Sequence, residues 1–197
     1  MPLRNSQLRY GTVAVTLHWL IAVAIICMIG FGYYLSTLPI TDHSLYRLVQ
    51  LHKSIGLTIL VLSALRIVWR LVNPVPPLPD TLSKPMRVLA RATHILLYVA
   101  IVAIPLSGWA MVSASPLGIP TVWFGLFEWP HIAPLAHLPF DRKDATEEAI
   151  HTVHAWLAYG TAVLLVLHVG AALLHHYLMR DDTLRRMLPG ARLREGI

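Results

Sequence analysis

Residues 152–179 read TVHAWLAYGTAVLLVLHVGAALLHHYLM, a run without Asp, Glu, Lys or Arg and with histidines at 154, 168, 175 and 176. A helix rises about 1.5 Å per residue, and about 20 apolar residues suffice to cross a hydrocarbon core. His154, His168 and His175 are separated by fourteen and then seven residues. At about 100° per residue, fourteen positions return to within about 40° of the starting direction, so all three share one helix face. His154 and His168 are then about 21 Å apart along the axis. Ionisable side chains at membrane depth are costly, turn toward the bundle interior and are functional by default. The run therefore predicts a transmembrane helix that presents imidazoles at two depths.

Three more runs are long enough to span, at 13–35, 48–72 and 88–112. The 197 residues are 56% hydrophobic and 13% charged, about half the charged content of a soluble domain. The fold class expected is an all-α membrane protein, a four-helix transmembrane bundle in a single domain over 1–197. Pro105, in Pro105-Leu106-Ser107-Gly108, is expected to kink the third span, a feature that neighbouring helices tolerate. The first apolar run is too long for a signal-peptide h-region, and no Ala-x-Ala site follows it. Cys27 is the lone cysteine and lies inside a span, which excludes an internal disulfide and a Cys-x-x-Cys-His haem attachment.

Lysine and arginine set the direction. The N-terminal segment, the loop between spans two and three with its flanks, and the tail hold Arg4, Arg9, Arg66, Arg70, Lys84, Arg87, Arg91, Arg180, Arg185, Arg186, Arg192 and Arg194. The opposite side holds Arg47, Lys53, Arg142 and Lys143. This asymmetry predicts that both termini are cytoplasmic. It also accounts for the net charge of +6 without a nucleic-acid partner. Residues 73–85 contain five prolines and read as a short, stiff, extended linker. Residues 113–150 form the largest outer region. Within it, 116–130 carries Trp123, Phe124, Phe127 and Trp129 and is expected at the membrane interface, while the charged stretch 141–148 is expected to cap span four.

Depth pairs the histidines. His18 opens span one at the cytoplasmic side, and His52 opens span two at the outer side. Span four runs inward, so His52 matches His154 and His18 matches His168. Each pair supplies two axial imidazoles to one haem iron, which predicts two b-type haems in the bundle core. Iron saturated in this way suits electron transfer. A lone membrane histidine more readily reads as a hydrogen-bonding bridge between helices; four that pair by depth favour haem. His94 is a rival ligand to His18, or a hydrogen-bond partner of a propionate, or a lining residue of a quinone pocket. His151 is a rival for the outer haem, His176 points off the ligand face, and His43, His131 and His137 are expected in solvated outer loops. Lys53, Arg66 and Arg70 are candidate propionate partners, with snorkelling interface anchors as the other reading. Gly30, Gly56, Gly108, Gly160 and Gly170 are places where a ring or a helix can approach closely. Zinc would want donors gathered at one depth, with carboxylate or thiolate among them; the span histidines divide between two depths, and no acid lies in a span. A proton-relay transporter is the non-redox alternative.

The chain also carries an ordered set of motifs: Leu17-His18-Trp19, His52 with Gly56, Arg66 and Arg70 before the proline linker, and His94 through Tyr98 to Pro105-Leu106-Ser107-Gly108. His154 and His168 follow, then Ala171-Ala172-Leu173-Leu174-His175-His176-Tyr177, Asp182-Thr183-Leu184 and Arg186-Met187. This set resembles the bacterial cytochrome b561 family, four-helix dihaem proteins of the inner membrane. The resemblance implies that His18, His52, His154 and His168 are the haem ligands and that electrons pass between the outer face and membrane quinone. Some members resemble superoxide oxidases, in which periplasmic superoxide is the donor and ubiquinone the acceptor. Carried over, Arg47, Lys53, Arg142 and Lys143 would steer an anion toward the outer haem. His175 would be the quinone-site residue, with Lys84 second. The alternative that the resemblance allows is a membrane-anchor subunit relaying electrons between a hydrogenase or dehydrogenase partner and quinone.

Overall fold

The computed structural model describes residues 2–78, 82–191 and 193. Arg192 and Arg194 of the charge set, and residues 79–81 of the linker, lie outside the described residues. Among the described residues four helices are long and apolar enough to cross a membrane: α1 (Thr12–Thr37), α2 (Leu45–Leu71), α3 (Lys84–Ala114) and α5 (Phe140–Tyr177). A helix pairs its backbone polar groups within its own segment, which hydrocarbon demands. The outward faces stay apolar: on α5, Val166 is 72% exposed and Leu167 60%. Leaving such a side chain in water forgoes about 1.5–3 kcal/mol, so a run of them identifies lipid as the solvent.

The helix ends differ from the sequence expectations in two places. Helix α3 begins at Lys84, with Pro85 in its first turn, where the missing N–H is one the helix would not have used. Helix α5 begins at Phe140, so the stretch 141–148 is itself helical rather than a cap. Alanine, glutamate, lysine and arginine there are good helix formers, and Asp141 in the first turn suits the positive end of the helix dipole.

Helix α3 continues through Pro105. Proline has no N–H to give to the carbonyl four residues back, here that of Ile101. Ser63 of α2, fully buried, donates its hydroxyl to the Ile101 carbonyl at 3.1 Å. Ser63→Ala would leave that acceptor without its side-chain donor in an apolar setting, a cost of about 1–3 kcal/mol. The expected result is a lower thermal midpoint in a fixed detergent; an unchanged midpoint would mean that the bond carries no stability.

Packing is most extensive between α3 and α5 and between α1 and α2, and slight between α1 and α5. Ile21, Ile25 and Ile59 are buried in the middle of the bundle, packed by Met28, Ile55, Leu62, Ile101 and Leu165. Along the helices this apolar layer lies between the histidines of one end and those of the other.

The region after α3 forms a hairpin, β1 (Thr121–Trp123) with β2 (Phe127–Trp129), followed by the short helix α4 (Ala133–Ala136). Its turn places Phe124 at φ 47° and Gly125 at φ 76°, and the left-handed region is uncommon for a phenylalanine. Helix α2 holds this turn with residues four apart on one face. Ser54 Oγ accepts the Phe124 N–H at 3.0 Å, Gln50 Oε1 accepts the Val122 N–H at 3.2 Å, and Thr58 Oγ1 accepts from Trp123 Nε1 at 3.2 Å. At the opposite end the N-terminal segment, the proline linker and the tail are tied together. Asn5 Nδ2 donates to the Pro74 carbonyl (2.9 Å), Trp19 Nε1 to Met187 (2.7 Å) and Arg186 Nη1 to Pro77 (2.8 Å).

Candidate functional site

At the hairpin end, His52 of α2 and His154 of α5 face each other with ring centroids 6.4 Å apart and planes at 74°. His154 Nδ1 lies 3.0 Å from the Ile104 carbonyl and 2.9 Å from Ser107 Oγ. A carbonyl can only accept, so Nδ1 carries the proton and Nε2 keeps its lone pair. Ser107 donates its own hydroxyl proton to Ile104 at 2.8 Å, which leaves its oxygen free to accept from the ring. A metal-binding imidazole is usually oriented by such a bond through its far nitrogen. A Cβ at Gly108 would stand 3.1 Å from His154 Cε1, so glycine is what lets α3 lie against this ring. On the other side, a Cβ at Gly32 would come within 3.3 Å of His52 Cε1, and Phe31 packs on the His52 ring at 5.6 Å. His52 Nδ1 is buried with no hydrogen-bond partner among the described residues.

At the terminal end, His18 of α1 and His168 of α5 have centroids 6.3 Å apart and planes at 72°. His94 of α3 lies 5.7 Å from His168, so three rings meet here. Arg66 of α2 donates to the Ala14 carbonyl at 3.0 Å and faces His18 Nδ1 at 3.4 Å. Guanidinium offers only donors, so His18 presents an acceptor at Nδ1, the tautomer opposite to that of His154. The guanidinium carbons of Arg66 and Arg70 stand 5.5 and 5.0 Å from the Tyr98 ring centroid. Among the described residues neither arginine pairs with a carboxylate.

These spacings can be tested against haem. A transition metal binds imidazole nitrogen at about 2 Å, and half a five-membered ring adds about 1 Å. Two axial imidazoles on one metal therefore have centroids about 6 Å apart. His18–His168 and His52–His154 meet that distance, and His94–His168 at 5.7 Å comes near it, so the hairpin end offers two imidazoles and the terminal end three. Among the described residues no three His, Cys, Asp or Glu side chains gather as a group that could hold a bare metal ion.

The remaining candidates divide. Lys53 Nζ donates to the Pro120 carbonyl at 3.1 Å and so helps to hold the hairpin. Lys84 is exposed at the start of α3. His43, His137 and His151 are exposed, His131 is half-buried in the outer loop, and the His176 ring packs edge-on against Tyr177 at 4.9 Å. A Cβ at Gly30, Gly160 or Gly170 would meet nothing within 4 Å among the described residues. His175 Nδ1 bonds Asp181 Oδ2 at 2.6 Å. Burial alone would raise the Asp181 carboxyl, but hydrogen bonds from Thr183 and His175 outweigh it and hold the group below its usual range. The stabilisation this contributes is present at neutral pH and is lost as pH falls through the folded carboxyl's pKa. Sequence reasoning missed Ser107, Gly32 and Asp181. A serine two residues after an intrahelical proline was the one available signal for the first.

Four spanning helices with facing imidazoles at two levels define the class, a helical membrane protein with intramembrane histidine pairs. The chain belongs to the prokaryotic cytochrome b561 family, whose sequence model matches residues 9–190. That family implies haem b and electron transport. Cytochrome b561 homolog 2 of Escherichia coli (strain K12) is 37% identical over 189 residues, 95% of each chain. The probable superoxide oxidase CybB of Yersinia pestis is 33% identical over 184 residues, 93% of this chain and 98% of its own. Cytochrome b561 homolog 1 of Escherichia coli (strain K12) is 30% identical over 189 residues, 92% of this chain and 97% of its own.

Proposed function

We propose that this protein is a dihaem b-type cytochrome of the bacterial inner membrane that transfers electrons from periplasmic superoxide to ubiquinone. The observation that carries the reading is the facing of His18 with His168 at 6.3 Å and of His52 with His154 at 6.4 Å. His52 and His154 would hold one haem at the hairpin end, and His18 and His168 a second at the terminal end. When bound, haem held by these imidazoles would supply a one-electron couple. The lysine and arginine excess supports a cytoplasmic terminal end and a periplasmic hairpin.

Arg66 and Arg70, which pair with no carboxylate among the described residues, are suited to the propionates at the terminal end, with His94 as a further donor. Ligation by His18 then requires Arg66 to give up its contact with Nδ1, and a propionate is the stronger partner for it. Lys53 would serve the hairpin end by exchanging the Pro120 carbonyl for a carboxylate. In the overall reaction two superoxide anions each lose one electron and leave as dioxygen. Ubiquinone gains the two electrons and two protons and becomes ubiquinol. His175 and Lys84 are the quinone-site residues in this reading. The relationship to a probable superoxide oxidase supports superoxide as donor.

The test is made on detergent-purified protein. Pyridine haemochrome assay is expected to return about two haem b per chain. Superoxide from xanthine and xanthine oxidase is expected to reduce it rapidly, with turnover only when ubiquinone-1 is present. Reduction solely by a co-purifying protein would replace superoxide with a redox partner and make the chain a membrane-anchor subunit. A haem content near zero from haem-replete cells would overturn the ligand pairing itself.

A further inference from the structure

His175 is the last histidine on the face shared by His154 and His168, about 10 Å along the axis beyond His168. Helix α5 ends at Tyr177, and the chain then reverses. Arg180 makes the reversal at φ 56°, a conformation that a side-chain-bearing residue seldom takes. The turn brings the Asp181 N–H onto the His175 carbonyl at 3.1 Å, and the Asp181 carboxylate onto the His175 ring at 2.6 Å. The Thr183 N–H fixes the other carboxylate oxygen at 2.8 Å. Both side chains are largely enclosed, 12% and 17% exposed. Capping α5 needs donors for its last carbonyls, and a carboxylate on an imidazole is not one. His175 Nε2, the far nitrogen, forms no hydrogen bond among the described residues. One nitrogen is held and the other is available, which is the arrangement of an oriented general acid.

We infer that Asp181 is a positioning residue for proton delivery to quinone: it holds His175 by Nδ1–H so that Nε2–H is the proton donor. The inference rests on the proposed reading of His175 as a quinone-site residue. Ubiquinone accepts two electrons, which derive from two superoxide anions, and two protons. For each proton the Nε2–H bond of imidazolium breaks as an O–H bond to a quinone oxygen forms. The neutral imidazole left behind keeps its Nδ1–H on Asp181 and regains a proton at Nε2 from the aqueous side. The carboxylate stabilises the imidazolium without itself taking the proton.

The experiment compares wild type, Asp181→Asn and Asp181→Glu holoprotein with superoxide and ubiquinone-1. Asparagine in place of aspartate is expected to lower kcat about tenfold while KM for ubiquinone-1 moves less than twofold. Glutamate is expected to recover most of the loss, and haem content and the rate of reduction by superoxide are expected to match wild type. A wild-type kcat in Asp181→Asn overturns the inference and leaves the quinone reading standing. So does a rise in KM at unchanged kcat. Wild-type protein that superoxide reduces and ubiquinone-1 does not reoxidise overturns the quinone reading and the inference with it. Should Asp181→Asn lose haem, ¹⁵N-histidine spectra of reduced wild type carry the test. The His175 signal, assigned by its loss in His175→Gln, is expected to report Nδ1–H; an Nε2–H tautomer overturns the inference.

Discussion

Purified His168→Ala is expected to hold about one haem b per chain where wild type holds about two, with a reduced α-band of about half the amplitude. The loss falls on the terminal end because His168 is the α5 member of that pair, 6.3 Å from His18. The other pair is insulated from the change. His52 and His154 lie beyond the apolar layer of Ile21, Ile25 and Ile59, and His154 keeps its bonds to Ile104 and Ser107. The same assay separates His18 from His94, whose ring is 5.7 Å from His168. His18→Ala should repeat the His168→Ala result, whereas His94→Ala should keep both haems. The reverse outcome would make His94 the ligand and return His18 to a hydrogen-bonding role beside Arg66.

Gly108→Val is expected to remove the other haem. A Cβ at this position already stands 3.1 Å from His154 Cε1, so the ring must give way to the first added carbon, and the methyls of valine add bulk beside it. The backbone of α3 cannot withdraw easily, because α3 and α5 form the most extensive helix pair in the molecule. The ring must tilt instead, which breaks the bonds to Ile104 and Ser107 that fix its tautomer and direction. Loss of such an orienting bond commonly weakens metal binding about 10–100-fold, and here the ring itself also moves. The expected preparation carries about one haem b per chain, spectrally complementary to that of His168→Ala. Two haems in Gly108→Val would mean that His154 does not need its present orientation.

Much of this molecule was legible along the chain. The spans follow from apolar runs because hydrocarbon leaves the backbone few alternatives to a helix. The placing of His154, His168 and His175 on one face follows from helical period alone. Matching His52 to His154 and His18 to His168 needed only the depth at which each span begins. The helix ends were less legible. The stretch 141–148 is charged yet helical, since residues that lipid excludes can still be good helix formers in water.

What tertiary structure alone decided is the surroundings of each imidazole. Ile104 and Ser107 reach His154 across 50 and 47 positions of sequence. Arg66 reaches His18 across 48, and Ser63 completes the Ile101 carbonyl that Pro105 leaves free across 38. Lys53, read as a propionate partner, donates to the Pro120 carbonyl across 67 positions, because the hairpin folds down on α2. Apolar runs and helical period are properties of neighbouring residues and need no knowledge of the rest of the chain. A hydrogen bond has a short range and a strict direction, so its partner is set by how two distant helices pack and turn. The sequence therefore determined where the histidines lie, and the packing of α2, α3 and the tail decided which nitrogen His18, His154 and His175 offer.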